Sequence, residues 1–227
     1  MPGTIPPVVY QYPMMLDVTD LLCVLVGGGG VAVRKAKGLL AAGATRIRVV
    51  SPMFSQEMPK EVERIAEPYA AHHLAGARLV FSATDSPQVN QNVVRDAHAA
   101  GALVCRADVD DEEPGDFATP ALHRAGAISI AVSAAGAPAL AAAVRDELAG
   151  RLDPRWLKLA AAMQLLRPVI IGGAAQISPE RRRKIFEDLA TPDALAVLAA
   201  NGVEGLWRWI AGRFPELVHL PHPTGGG

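Results

Sequence analysis

The stretch Leu21–Leu40, LLCVLVGGGGVAVRKAKGLL, decides the fold. It opens on an apolar run of strand length, Leu21 to Val26, and continues through four glycines, Gly27, Gly28, Gly29 and Gly30. Val31, Ala32, Ala36, Leu39 and Leu40 then recur at the spacing of one helical face. A buried strand, a glycine turn and an amphipathic helix in that order make the first βα unit of a dinucleotide-binding sheet. In the G-x-G-x-x-A frame, Gly27 allows the tight turn and Gly29 lets the backbone approach a pyrophosphate. Ala32 lets the helix pack close to the strand. Amides at the helix start, which have no intrahelical acceptor, then face the phosphates.

Outward from this unit, strand and helix signals alternate. Gly43 ends the helix, and Arg46–Val50 reads as the second strand. A short helix is expected around Lys60–Ile65, a weak strand over Tyr69–His73 and a better one over Arg78–Ser82. Ser86 and Pro87 are N-cap and first residue of a helix running to about Ala100. Ala102–Arg106 is the next strand, followed by an acidic loop, Asp108–Asp116, a last strand, Ala127–Val132, and a helix, Ala139–Leu148. Met1–Pro13 reads as an extended lead-in, with Met14–Leu16 offering a short edge contact. The alternation predicts an α/β, Rossmann-like, mostly parallel sheet covered on both faces. Ligands on such sheets lie at the carboxyl ends of the strands. The stretches expected to converge there are Gly27–Gly30, Ser51–Met53, Ala83–Asp85, Asp108–Asp116 and Ser133–Gly136. Beyond Gly150, prolines 154, 168, 179 and 192 punctuate short helical patterns. The organisation expected is a nucleotide-binding domain over 1–115, a dimerisation segment over 116–150, a small helical domain over 151–215 and a disordered tail over 216–227.

Composition narrows the class. The chain has 227 residues, half of them hydrophobic, and a net charge of −1. That supports a sizeable core and argues against a nucleic-acid surface. No apolar run approaches the ~20 residues of a membrane span, and the first residues lack the basic-then-apolar pattern of a secretory leader. Cys23 and Cys105 both fall on expected strands, without metal-ligand spacing, which suits two buried thiols in a reducing cytoplasm. The acidic residue that usually binds the adenosine ribose, ~20 positions after the glycines, is missing. Val49, Val50 and Ser51 stand there, so ribose contact falls to Ser51 or to backbone at Pro52 and Met53. Arg46 and Arg48 could accommodate a 2′-phosphate, although two arginines flanking a strand more often face solvent.

The ordered motifs GGGGVAVRKAKGLLAAGA, RVVSP, FSATDSPQVNQNV, VCRAD, GDFATPA and ISIAVSAAGAPALAAAVRDEL carry a more specific signal. Over roughly residues 10–150 the chain resembles the precorrin-2 dehydrogenase family, the NAD-dependent module of siroheme synthases, in its stand-alone form without a methyltransferase domain. The resemblance implies oxidation of precorrin-2 to sirohydrochlorin with NAD, and a homodimer built largely through residues 116–150. It places Gly27, Gly28, Gly29, Gly30 and Val31 at the pyrophosphate, Pro52 and Met53 beside the adenosine, and Ala83 and Thr84 toward the nicotinamide half. It implies a catalytic aspartate at the end of the strand Cys105-Arg106-Ala107. Counting from the strand gives Asp108; counting back from Asp116-Phe117 gives Asp110. Ser133 matches one serine of the family's tetrapyrrole-site turn, whose second serine is Ala134 here.

Some members of that family also insert Fe²⁺ into sirohydrochlorin, and the residues leave that second activity open. His72 and His73, adjacent on an expected strand, point to opposite sides and are not expected to share a metal. His123 reads as a surface or core residue, and Arg181–Lys184 as a solvated helix face. Two other functions fit the same fold: an NAD-binding regulatory module without chemistry, and a different small-molecule reductase. The regulatory module would not need Asp108 or the GDFATPA stretch, and fold alone does not exclude the other reductase.

Overall fold

The computed structural model describes residues 12–107, 115–173 and 177–222. They form two compact units, residues up to 119 and residues from 120 onward.

The first unit is a parallel sheet built as the glycine unit implies. Strands β1 (Leu22–Val26), β2 (Arg46–Val50), β3 (Glu63–Ile65), β4 (Leu79–Ser82) and β5 (Leu103–Arg106) lie in the order β3-β2-β1-β4-β5. All four pairings are parallel. β1 is central and buried along its whole length, which is why its sequence is continuously apolar rather than alternating. Its two faces feed two cores. One side packs Cys23 and Leu25 against Ala32, Val33 and Ala36 of α1 (Gly30–Leu40). The other packs Leu22, Val24 and Val26 against Val93, Val94 and Ala97 of α2 (Pro87–Ala99). α2 starts where sequence places it: Ser86 Oγ accepts the Val89 amide, Pro87 opens the helix, and Gly101 follows its end at φ +68°.

Three local expectations are corrected. Residues 63–65 are not helical but form the edge strand β3, paired with β2 from Arg48 opposite Glu63. An edge strand needs few apolar residues, and here a salt bridge from Arg48 Nε to Glu63 at 2.9 Å joins the pair. Residues 71–74 form a 3₁₀ turn instead of a strand, closed by the Ala70 amide donating to His73 Nδ1 at 3.1 Å. Residues 14–16 are exposed and join no strand.

The second unit begins with a hairpin. β6 (Ala121–Ala125) and β7 (Ile128–Val132) pair antiparallel around Gly126 and Ala127, with Gly126 at φ +54°. β7 is therefore not a strand of the parallel sheet, contrary to the reading of 127–132. β6 escapes that reading because His123 and Arg124 interrupt its apolar pattern. α3 (Pro138–Gly150) packs on the hairpin. A helical cluster follows: α4 (Pro154–Gly172), α5 (Pro179–Leu189) and α6 (Pro192–Arg213), the last broken at Gly202, φ +65°. Leu166, Ile170, Ile185, Leu189, Leu206 and Ile210 make its buried centre. Asp153, Ser178 and Thr191 cap the three helices, each accepting an amide from the first turn. The hairpin and α3 group with these helices, whereas Asp116–Thr119 group with the sheet.

Candidate functional site

The carboxyl edge of β1 turns sharply at Gly27. Its φ of +121° suits glycine, and a Cβ there would sit 2.2 Å from the Ala83 carbonyl oxygen. The turn is tied to both neighbours: Gly27 N–H donates to Val50 O at 2.9 Å, and Ala83 N–H donates to Val26 O at 2.8 Å. Gly28 is equally constrained, since its Cβ would meet Met53 O at 2.0 Å while its own carbonyl accepts the Ser55 amide. Gly29 differs. It is the N-cap of α1 in ordinary extended backbone, and nothing lies within 4 Å of where its Cβ would be.

No side chain caps α1, and no acidic residue stands in its first turn. The first-turn amides have no intrahelical acceptor, so they and the positive end of the helix dipole are available to an anion. Gly27–Val31, Ser51–Ser55 and Ala83–Asp85 line one cavity of about 670 Å³, with Val26, Val50, Pro68, Tyr69 and Val89 completing its walls. Gly27, Gly28, Gly29, Gly30, Val31, Ser51, Pro52, Met53, Ala83 and Thr84 are thus brought to a single cavity. A cradle that excludes side chains at Gly27 and Gly28, opens at Gly29 and presents uncapped amides fits a dinucleotide pyrophosphate.

The walls are held from outside the cavity. Ser51 Oγ donates to Met53 O at 2.7 Å and shapes the turn after β2. Asn90, buried on α2, fixes the turn after β4. Its Oδ1 accepts from Ser82 Oγ at 2.8 Å and Thr84 Oγ1 at 2.7 Å, and its Nδ2 donates to Thr84 O at 3.0 Å. Tyr69 donates its hydroxyl to Asp96 Oδ2 of α2 at 3.0 Å. Burial, followed by that bond to Asp96, pushes the phenol well above its ordinary range, so it stays a donor. Sequence reading passed over both residues. Asn90 had a usable signal, a polar side chain in the apolar row shared by Val93, Val94 and Ala97. Tyr69 had none, because its position depends on the chain returning past β3.

Asp108 and Asp110 lie outside the described residues. On their two sides the chain is pinned to the sheet. Ala107 N–H donates to Ser82 O at 2.9 Å. Asp116 Oδ2 accepts the Val104 amide at 2.8 Å, its own amide donates to Val104 O at 2.7 Å, and Oδ1 lies 3.0 Å from His98 Nε2. Gly115 is pressed against β5, where a Cβ would sit 2.7 Å from Val104 O. Phe117 meets Phe81 edge to face at 5.5 Å. Ser133 is exposed after β7, in the second unit, and so does not extend from the parallel sheet as the sequence reading expected.

The two histidines also depart from expectation. On a 3₁₀ turn they do not diverge, and their ring centroids lie 4.1 Å apart. Ligand atoms of Glu67, His72 and His73 all fall within 4.8 Å of one another. The hydrogen bond from Ala70 occupies the His73 Nδ1 lone pair, which leaves the neutral ring's proton on Nε2, facing Glu67 at 3.4 Å. His73 Nε2 is buried without a hydrogen-bond partner among the described residues, and a metal there would have to displace the proton this tautomer places on it. Burial pushes the Cys23 thiol up to about 11 and raises that of Cys105, which makes both poor nucleophiles.

Residues 14–121 match a protein family described as "Putative NAD(P)-binding". The chain is similar to the siroheme synthase of Chromobacterium violaceum, 34% identical over 203 residues that cover 87% of this chain and 42% of that protein. Against the siroheme synthase of Photobacterium profundum the identity is 36% over 213 residues, 91% of this chain and 40% of that one. The chain spans about two fifths of the length of these curated relatives. Its fold superposes on a solved structure named "SirC, precorrin-2 dehydrogenase" with a TM-score of 0.72, covering 89% of this chain and 100% of the other at 24% identity. The family match lies almost wholly within the first unit, which ends at residue 119. Among the described residues no helix is long and apolar enough to cross a membrane.

Proposed function

We propose, from the match of residues 14–121 to that NAD(P)-binding family and from the similarity to the siroheme synthases, that the chain oxidises precorrin-2 to sirohydrochlorin with NAD⁺. The observation that carries the reading is the glycine cradle with its uncapped helix start, at the crevice between β1 and its neighbours. NAD⁺ is favoured over NADP⁺ by the charges around the cavity. Arg48 is engaged by Glu63 and by the His73 carbonyl, and Arg46 stands at the amino end of β2, away from the carboxyl edge. Among the described residues, no cation lines the cavity to pair with an additional phosphate.

The reaction removes two hydrogens from the macrocycle, one with its electron pair and one as a proton. Bound nicotinamide supplies the hydride acceptor. The chain holds the pyrophosphate at the α1 amides, fixes the Ala83–Thr84 turn through Asn90, and offers a carboxylate for the proton. Asp108, one residue past the anchored Ala107, is the first choice for that base, and Asp110 is the alternative. Both follow a strand whose end lies at the ligand edge. Ser133 is assigned to tetrapyrrole binding. The assembly proposed is a homodimer through 116–150, and the compartment is the cytoplasm, consistent with two free buried thiols.

The test is turnover of precorrin-2 with NAD⁺ by the wild type, Asp108→Asn and Asp110→Asn. Asp108→Asn is expected to cost ~10²–10⁴ in rate while cofactor affinity persists, with Asp110→Asn costing much less. The reverse order makes Asp110 the base. Full activity in both variants and in their double mutant removes the carboxylate from the mechanism.

A further inference from the structure

We propose that Tyr69 is the platform on which the adenine ring of the cofactor stacks, held in place by its hydroxyl bond to Asp96. This rests on the cofactor reading above and names the part of the cavity that takes the base.

The cavity has distinct regions. Polar backbone and small residues surround the glycine turn, whereas Val26, Val50, Pro68, Tyr69 and Val89 form an apolar wall. Val26, Val50, Tyr69 and Val89 all belong to the core on the α2 side of the sheet. This wall includes the end of β2, the strand beside which the adenosine half of a dinucleotide lies on such sheets. The missing ribose carboxylate after β2 leaves the adenosine half without its usual polar anchor, which shifts the demand onto contacts with the base.

Tyr69 is suited to that demand. It is half-buried, packs against that core and lines the cavity. Its hydroxyl is committed to Asp96, and the raised phenol keeps it a donor, so the ring is fixed before any ligand arrives. A fixed aromatic face costs little entropy on binding. Phe54, the other aromatic lining the cavity, packs instead on the α1-side core, with the Arg64 guanidinium 5.9 Å from its ring centroid.

The test is calorimetric titration of NAD⁺ and of AMP into the full chain and into Tyr69→Phe, Tyr69→Leu and Tyr69→Ala, with thermal unfolding of each. Phe keeps the aromatic face, Leu keeps apolar bulk without it, and Ala removes both. Affinity for NAD⁺ and AMP should stay within a few-fold in Tyr69→Phe and fall by about 5- to 150-fold in both Tyr69→Leu and Tyr69→Ala, the range of one lost base stack. Thermal stability should instead follow side-chain size, with Leu retaining more than Ala. Unweakened NAD⁺ binding by folded Tyr69→Leu overturns the inference, as does an affinity loss that tracks stability rather than the ring. A variant that binds NAD⁺ normally but loses precorrin-2 assigns the ring to the macrocycle and also overturns it. Failure of the wild type to bind NAD⁺ overturns the cofactor reading itself, and is thereby distinguished from failure of the platform.

Discussion

Gly27, Gly28 and Gly29 share one chemistry and have different jobs. Gly27 and Gly28 are required by the protein, because each would drive a Cβ to within 2.2 Å or less of a neighbouring carbonyl oxygen. Gly29 is required by the ligand, since its backbone is ordinary and its surroundings are open. Gly29→Val should therefore fold with near-normal stability and lose NAD⁺ binding in calorimetry, as the branched side chain enters the pyrophosphate path. Gly28→Ala should lower stability by about 1–3 kcal/mol, the usual cost of overpacking, read from urea unfolding. Normal NAD⁺ affinity in folded Gly29→Val would contradict the cradle. Spacing alone announces Gly27 and Gly29. The demand on Gly28 comes from Met53, 25 positions along the chain, and no local pattern reports it.

At the scale of elements, what the sequence reveals depends on where a strand lies. β1 and β4 are buried throughout and read as apolar runs, and β2 reads from the alternation of its residues. β3 and β6 are not legible: an edge strand and an exposed hairpin arm carry the Glu, Arg and His that a pattern reading assigns elsewhere. The 3₁₀ turn at 71–74 depends on a His73 side chain reaching back to backbone, which periodicity does not encode. The clasp between β4 and α2 is likewise hidden, and it carries a prediction. Asn90→Leu preserves bulk but strands the Ser82 and Thr84 hydroxyls it bonds. Unfolding in urea should show a loss of about 1–3 kcal/mol. NAD⁺ affinity should fall as well, because Thr84 lines the cavity. Unchanged stability and affinity would remove Asn90 from the site's support.

For the whole molecule, the two units are legible to different degrees. The glycine unit specifies the first through its sheet topology. In the second, the proline-punctuated helices are visible in the sequence, but of the hairpin that precedes them only the arm over 127–132 is. The homodimer proposed through 116–150 rests on exposed apolar residues of α3. Leu140, Val144 and Leu148 repeat every fourth residue on α3 and remain exposed, at 57, 37 and 45%, while α3 buries Ala141 alone among its described residues. An apolar stripe of that kind is stable in water when a second surface covers it. Light scattering at micromolar concentration should give the mass of two chains, and replacing Leu140 and Leu148 with Glu should give one. A monomer in the wild type would contradict the assembly.

The central claim is that the cavity at the glycine turn serves a redox reaction on a tetrapyrrole. It is tested most directly by adding NAD⁺ and enzymatically made precorrin-2 to the wild-type protein and following the absorbance of macrocycle and nicotinamide together. The account predicts that precorrin-2 is converted to sirohydrochlorin with one reduced nicotinamide formed per molecule oxidised, at a rate proportional to enzyme. Tight NAD⁺ binding with neither absorbance changing would contradict it and leave a sensor module in its place.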